Sequence, residues 1–134
     1  TVVTGFETYK DCAFVNVIPA QMAGEIARSA GLAPAGGYCA IDAATMKSTV
    51  DASIFVLGDA CIGGDMPKSA FSANSQAKVA AMTIRGELTG ARTFPARYVN
   101  TCWSLVDTDD TIKVGGRYEP KDGKITATET FVSQ

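Results

Sequence analysis

The chain has 134 residues, a formal net charge of −2 and no histidine, and its length fits a single domain. Its composition, 46% hydrophobic and 19% charged, excludes a disordered or collagen-like chain. The missing histidines exclude imidazole metal ligands and histidine-based catalytic triads. The near-neutral charge without a basic stripe argues against a nucleic-acid partner, and no apolar run approaches the roughly 20 residues of a transmembrane segment.

The amino-terminal segment is predicted to form a hairpin over residues 1–17, with a bend at Gly5. Residues 12–18 are nearly all apolar, which is typical of a strand covered on both faces. Pro19 should end this strand, because proline cannot donate to a ladder.

A first helix is predicted over residues 20–30, ending at Gly31. Its apolar positions recur at a spacing of four: Met22, Ile26 and Ala30. A proline- and glycine-rich loop follows at residues 33–37, then a short strand at 38–41 and a buried strand at 53–57.

The longest predicted helix spans residues 67–89, with Pro67 at its first position and Gly90 as its stop. The apolar positions that we expect to face the core are mostly alanines: Ala70, Ala73, Ala77, Ala81, Ile84 and Leu88. Such a narrow face would let the helix approach a sheet or a ligand closely.

The end of the chain predicts an antiparallel meander of three strands, at residues 99–106, 111–118 and 124–132. Turns rich in aspartate and glycine separate the strands, at residues 107–110 and 119–123. The element order is therefore β-β-α-β-β-α-β-β-β, which places the chain in the α/β or α+β class.

The four cysteines, at positions 12, 39, 61 and 102, contain no CxxC spacing. A structural zinc site is therefore disfavoured, while two disulfides remain possible. Cys12 and Cys61 adjoin apolar runs and are predicted to be buried free thiols. Packing is the role expected for Cys61 and Cys102.

Residues 49–59 carry the most informative pattern, a buried strand that ends in Gly58-Asp59 shortly before the long helix. A strand delivers such an aspartate to the carboxyl edge of a sheet, where α/β proteins bind ligands. The carboxylate can accept hydrogen bonds from sugar hydroxyls, glycine permits close approach, and the helix start favours an electron-rich atom. The alternatives are a plain strand-to-turn transition and a helix-capping aspartate.

This pattern resembles the second FAD-binding motif of the two-dinucleotide-fold flavoproteins. Further segments narrow the resemblance to the flavoprotein subunit of flavocytochrome c sulfide dehydrogenase, in order over essentially the whole chain. They are VNVIPAQ at 15–21, GYC at 37–39, GDACI at 58–62, MPKS at 66–69, SANSQ at 72–76 and NTCWS at 100–104.

The resemblance assigns Cys39 as the catalytic residue, the second redox cysteine, which forms a disulfide with a cysteine outside this chain. Sulfide, as HS⁻, would attack that disulfide, and two electrons would pass to the flavin. Without the resemblance, a single cysteine in a glycine-rich loop is more often incidental.

The same resemblance implies that Asp59 binds the ribityl chain of FAD, with Gly58 and Ala60 permitting close backbone approach. Lys68 and Ser69, expected at the start of the long helix, would stabilise the anionic pyrimidine end of the reduced flavin. For Lys68 the alternative is an ordinary surface lysine. Trp103 would shape the sulfide pocket near the flavin ring, with a place in the core as the alternative.

The implied organisation has three parts: residues 1–19 from the end of an NAD-like domain, 20–92 from the FAD domain and 93–134 as an antiparallel β tail. The glycine-rich amino-terminal FAD motif is absent, so a carboxyl-terminal fragment is expected. The partners would be the amino-terminal remainder, sulfide and a c-type cytochrome subunit that alone carries haem, in the periplasm. A sulfide:quinone oxidoreductase and a non-catalytic interface piece are the alternatives.

Overall fold

A computed structural model describes residues 1–133, and it confirms the α+β class. The regular elements are β1 Val2–Val3, β2 Thr8–Tyr9, α1 Glu25–Ser29, α2 Ala70–Thr89, β3 Tyr98–Asp107, β4 Asp110–Lys121 and β5 Lys124–Ser133. A 3-10 turn, Gly58–Ala60, lies between the two helices. Gln134, the last residue of the predicted tail domain, lies outside the described residues.

The amino-terminal hairpin is confirmed only at its tip, where β1 pairs antiparallel with β2. The buried strand predicted at residues 12–18 is wrong: this run has no regular structure, and Phe14 is 86% exposed. A strand needs a neighbour for its backbone hydrogen bonds, and no described strand runs beside this segment. Cys12 is exposed for the same reason, so its predicted burial is also wrong.

Helix α1 is shorter than predicted and buries a different face. Residues 20–24 stay outside the helix, where the Ala23 N–H donates to the Gly37 carbonyl at 3.0 Å. Ala27 is buried and Ile26 faces solvent, so the predicted apolar face is wrong. The expected stop is confirmed, because Gly31 follows the helix with a left-handed φ of 72°.

The strands predicted at residues 38–41 and 53–57 are single β-bridges rather than ladders, so these two predictions are wrong. The bridges join Cys39 to Cys61, Ile41 to Ser48 and Lys47 to Phe55. Each segment crosses its neighbour at one residue only, which buries apolar side chains such as Val56 without a regular sheet.

Helix α2 ends as predicted, with Gly90 in the left-handed region at φ 68°. Its start is not at Pro67. Ser69 is the N-cap, and its hydroxyl accepts a hydrogen bond from the Ser72 N–H at 3.0 Å. Pro67 and Lys68 therefore precede the helix. Neither helix within residues 1–133 is long and apolar enough to cross a bilayer.

The buried face of α2 is polar, so the predicted alanine face is wrong. The buried residues are Ser72, Ser75, Gln76, Val79, Ala80 and Thr83. The polar side chains among them have partners on other segments. The Ser75 hydroxyl accepts a hydrogen bond from the Val99 N–H at 3.0 Å. The side-chain oxygen Oε1 of Gln76 accepts a hydrogen bond from the Gly58 N–H at 2.7 Å. Polar groups satisfied in this way can be buried at small cost.

The carboxyl-terminal meander is confirmed as a three-stranded antiparallel sheet in the order β3-β4-β5. The sheet packs against α2 at one end, where Tyr98 and Tyr118 are buried in the core. At its other end the sheet is exposed, with Leu105 and Val132 facing solvent. The contact between α2 and the sheet thus fixes the position of the start of α2 relative to β3.

Tyr98 is a buried acid of the core, and its hydroxyl donates to the Ala43 carbonyl at 2.5 Å. Burial, with a smaller effect of Asp42, raises its pKa far above the ordinary value of about 10. The unfolded chain therefore releases this proton first, so stability should fall as pH rises above about 10, by up to about 1.4 kcal/mol per pH unit. We expect the free energy of unfolding, measured with urea, to fall less between pH 9 and pH 11 in Tyr98→Phe than in the parent; this window brackets the ordinary tyrosine pKa of roughly 10. An equal fall in the two proteins would contradict this role of Tyr98.

The loop before α2 lies directly against the β4–β5 hairpin. The Asp65 N–H donates to the Ile125 carbonyl at 2.9 Å, and the Asp65 carboxylate accepts from the Ala127 N–H at 2.9 Å. A Cβ on Gly64 would lie 2.2 Å from the Ile125 carbonyl oxygen, and Gly64 has φ +59°. This contact leaves no room for any side chain.

Gly64→Ala should therefore lower the free energy of unfolding by at least about 3 kcal/mol, because backbone must move and the left-handed conformation adds strain. Gly123→Ala is the matched control, since Gly123 has φ +76° but open space around its Cβ position. It should cost only about 1–2 kcal/mol. Equal losses in urea unfolding would show that the contact with Ile125 is unimportant.

Candidate functional site

Cys39 lies directly opposite Cys61 in a parallel bridge. The Cys39 N–H donates to the Ala60 carbonyl, and the Ile62 N–H donates to the Cys39 carbonyl, both at 2.9 Å. These two bonds hold the Gly58–Ala60 turn beside the glycine-rich loop that carries Cys39. Two of the segments that the sequence singled out are therefore neighbours.

The Gly58–Ala60 turn is also fixed to α2. Gly58 has φ +67°, and a Cβ there would lie 3.3 Å from the Ala73 Cβ on the helix. The Gly58 N–H is bound by Gln76, as described above. Glycine is thus required at position 58 for its backbone conformation and its approach to α2.

The Asp59 carboxylate is exposed, and no donor within residues 1–133 reaches it. It lines an open cavity of about 270 Å³ together with Gln21, Met22, Tyr38 and Lys68. The helix-capping alternative is wrong, because Ser69 caps α2. The carboxylate is therefore free to accept hydrogen bonds from a ligand.

Lys68 joins the parts of the site. Its Nζ donates to the Asp59 carbonyl at 2.7 Å and to the Cys61 carbonyl at 2.8 Å, and it lies 3.9 Å from the centre of the Tyr38 ring. The prediction that Lys68 belongs to the first turn of α2 is wrong, since it precedes the N-cap. Lys68 is an exposed residue whose ammonium group is bound by two carbonyls, and its role toward a cofactor stays a prediction.

The start of α2 is tied to β3 through Asn100, which is 2% exposed. The Ser69 hydroxyl donates to Asn100 Oδ1 at 2.6 Å, and the Ser72 hydroxyl donates to the same oxygen at 3.0 Å. Because its proton goes to Asn100, the Ser69 hydroxyl presents a lone pair to the Ser72 N–H. Ser69, predicted as a cofactor ligand, thus has its hydroxyl engaged in capping and positioning the helix.

Both bridge cysteines are fully buried, at 0% exposure, and both are free thiols. The prediction of a buried free thiol is confirmed for Cys61. Burial raises the pKa of the Cys61 thiol, and the positive charge of Lys68 opposes that rise. Cys61 is therefore protonated at neutral pH.

Trp103 is 61% exposed on β3, so its alternative placement in the core is wrong. Its register partner on β4 is Lys113. Cys102, beside it in sequence, is half-buried and accepts a hydrogen bond from the Asn100 amide at 3.4 Å. Trp103 is thus a large aromatic surface on the strand that Asn100 connects to α2.

The site gathers five of the predicted residues into one place: Cys39, Gly58, Asp59, Ala60 and Lys68. Ser69 adjoins them at the α2 cap, while Trp103 lies farther along β3. Sequence reasoning missed Tyr38, Gln76 and Asn100. The spacing of Ser72, Ser75, Gln76, Val79 and Thr83 on one side of α2 was the signal that could have revealed a satisfied polar face.

A second and larger cavity, about 430 Å³, lies between the segments next to the bridges and the β4–β5 hairpin. It is mostly apolar and lies between Ile41, Ile62 and Ile125, with Asp65 and Lys124 at its edge. It contains none of the residues that the sequence assigned to a site.

The Asp59 cavity suits a ligand that carries hydroxyl groups and a negatively charged part. The carboxylate accepts from hydroxyls, while the ammonium of Lys68 and the amino-terminal end of the 20-residue helix α2 favour negative charge. These features together form an open polar cavity beside the start of α2 in an α+β protein.

The particular cofactor class comes from a comparison with known families. Residues 94–134 match the family model described as flavocytochrome c sulphide dehydrogenase, flavin-binding. Over these residues the match confirms the resemblance seen in the sequence, and it supports a flavoprotein of that family with a flavin cofactor. It covers the region that contains the β3-β4-β5 sheet with Asn100 and Trp103.

Proposed function

We propose that this chain forms the carboxyl-terminal part of an FAD-dependent sulfide dehydrogenase, an oxidoreductase that passes electrons to a c-type cytochrome subunit. The observation that carries the proposal is the bridge that holds Cys39 against the Gly58–Ala60 turn. It holds the backbone of Cys39 beside the turn that carries the free Asp59 carboxylate. The flavin-binding family match over residues 94–134 supports the same reading.

In this proposal, Asp59 holds FAD through the hydroxyls of its ribityl chain. An ionised carboxylate makes hydrogen bonds worth about 1.5–3 kcal/mol each, so this residue contributes strongly to cofactor retention. The start of α2, oriented by Ser69 and Asn100, faces the electron-rich end of the ring. FAD supplies the two-electron acceptor.

Cys39 is proposed as one half of a redox disulfide whose other half lies outside this chain. HS⁻ attacks the disulfide, the S–S bond breaks, one sulfur leaves as a thiolate and the other carries the added sulfur as a persulfide. Recovery of the disulfide with release of sulfur at the zero oxidation level removes two electrons from the thiolate and the persulfide, and FAD would be the acceptor of those two electrons. The fixed backbone of Cys39 in the bridge would hold its sulfur in place through this cycle.

Trp103 is proposed to line the pocket that admits sulfide. Trp103 is a large apolar surface that would exclude water from the sulfide pocket. The c-type cytochrome subunit, which alone carries haem, would receive electrons from the flavin in the periplasm.

The proposal is tested by adding sulfide without oxygen to the complete, flavin-loaded protein. We expect the visible flavin absorption to bleach, and to return when an oxidised c-type cytochrome is added. Sulfate, an oxyanion of sulfur with no nucleophilic lone pair on sulfur, is the control and should leave the spectrum unchanged on this time scale. A spectrum that sulfide does not alter would overturn the proposal.

A further inference from the structure

The two buried cysteines, Cys39 and Cys61, are paired with each other by the backbone. They are the two partner residues of the parallel bridge, so they lie directly opposite each other on neighbouring segments. Paired residues of neighbouring extended segments have side chains on the same side. Both residues are fully buried. The Cys61 thiol donates to the Gly58 carbonyl at 3.3 Å and lies 3.7 Å from the side-chain oxygen of Gln76, so a rotation of this side chain must precede any bond to Cys39.

The spacing suits a covalent link. Neighbouring extended segments lie about 4.7–4.9 Å apart, and disulfides join residues whose Cα atoms are about 4.4–6.8 Å apart. Within residues 1–133 all four cysteines are free thiols, and Cys39 and Cys61 are the two that the backbone pairs.

We propose that Cys39 and Cys61 form a redox dithiol within this chain, which a low-molecular-weight disulfide closes to an intrachain disulfide. One thiolate attacks the external disulfide, which breaks its S–S bond and releases one thiol. The second thiolate attacks the resulting mixed disulfide and releases the second thiol. Two S–H bonds and one S–S bond are exchanged for one intrachain S–S bond and two external thiols, so the two electrons pass to the reagent.

The surroundings of the pair set how it reacts. Lys68, bound to the Cys61 carbonyl, brings a positive charge to the pair. Burial covers both thiols and raises the pKa of the Cys61 thiol, so closure should be slow at neutral pH and faster as pH rises. The segments are joined by one bridge rather than a ladder, so a local opening admits a small reagent without global unfolding.

The pair also bears on the proposed function, and this consequence rests on that function. Cys39 cannot be joined to Cys61 and to a cysteine outside this chain at the same time. A closed Cys39–Cys61 pair would therefore take Cys39 out of the reaction with sulfide. Cys61 would then act as a thiol switch for that reaction.

Trypsin separates all four cysteines, which makes the test direct. Cleavage after lysine and arginine places Cys39 on peptide 29–47, Cys61 on 48–68, Cys12 on 11–28 and Cys102 on 98–113. The complete protein, first reduced and freed of reductant, is incubated with 2-hydroxyethyl disulfide. The remaining thiols are blocked with iodoacetamide in denaturant, and the digest is analysed by mass spectrometry without reduction.

We expect peptides 29–47 and 48–68 to appear linked, with the mass of their sum less two hydrogens. The exposed Cys12 should carry the reagent's mixed disulfide, which shows that the reagent was active. Cys102→Ser should leave the linkage unchanged, while Cys61→Ser should leave Cys39 at the mixed-disulfide stage. The inference is overturned if Cys39 and Cys61 appear only as blocked thiols or separate mixed disulfides while Cys12 has reacted. It is also overturned if Cys39 is found linked only to a cysteine outside this chain.

Flavin content, measured on the same sample, separates this inference from the proposed function. The linkage in a protein that holds no flavin would support the dithiol and contradict the proposed function. Bound flavin that sulfide bleaches, without the linkage, would do the reverse. The presence or absence of the Cys39–Cys61 linkage is measured on the parent protein, so the result does not depend on whether a variant folds.

Discussion

Cys39→Ser is expected to abolish the bleaching of the flavin by sulfide while leaving the flavin bound. Serine cannot form the disulfide that HS⁻ attacks, so the route from sulfide to flavin is removed. The side chain is fully buried and its backbone groups make the bridge bonds, so the smaller hydroxyl should fit without displacing the Gly58–Ala60 turn. Stopped-flow absorbance under exclusion of oxygen measures the rate, and we expect a loss of at least about 1,000-fold, consistent with removal of a nucleophilic group.

Cys102→Ser is the matched control, because Cys102 is a half-buried free thiol outside the bridge. Its bleaching rate should stay within a few-fold of that of the parent. Chemical reduction with dithionite should bleach both variants equally, which separates loss of the thiol from loss of the flavin. Bleaching of Cys39→Ser by sulfide at the parent rate would remove Cys39 from the reaction.

Asp59→Ala is expected to weaken flavin retention by about tenfold to a hundredfold. The carboxylate is exposed in the cavity and no group within the described chain binds it, so its loss removes ligand hydrogen bonds and little else. Hydrogen bonds to a charged group contribute about 1.5–3 kcal/mol, and about 1.4 kcal/mol corresponds to a factor of ten. Flavin released on dilution, measured by its fluorescence, gives the dissociation constant.

Asp59→Asn should lie between the parent and Asp59→Ala, because the amide keeps an acceptor oxygen but loses the charge. Asp109→Ala, in the exposed turn between β3 and β4, is the control and should retain flavin fully. Equal retention by Asp59→Ala and the parent would take Asp59 out of the cofactor site.

The parts of the fold that could be predicted are those set by local signals. The three strands of the meander have β-branched and aromatic residues and are separated by aspartate-glycine turns, so they were found almost to their ends. The stop of α2 was found because Gly90 is the residue that adopts a left-handed cap most readily.

The parts that failed depend on partners remote in sequence. An apolar run such as residues 12–18 is a strand only where another strand bonds to it, and the pattern does not contain that partner. The buried face of α2 was misjudged because Gln76 and Ser75 are satisfied by Gly58 and Val99, which no helical periodicity reveals.

The candidate site was reached through Gly58-Asp59 and the glycine-rich segment at Cys39, both of which belong to motifs. Their contact through a single bridge was not predictable from spacing. Lys68 was singled out through the resemblance, and the structure shows contacts that the sequence did not predict, with two carbonyl partners and the Tyr38 ring. Asn100 carries no such signal, since an asparagine in a strand is ordinary until its two serine donors are seen.

A crystal structure of the complete protein with its flavin would test the central claim most directly, namely that the Asp59 cavity holds the cofactor. We expect the ribityl hydroxyls within hydrogen-bonding distance of the Asp59 carboxylate, and the ring between Cys39 and the start of α2. A flavin bound in the larger apolar cavity between Ile62 and Ile125, with Asp59 still in solvent, would contradict the claim.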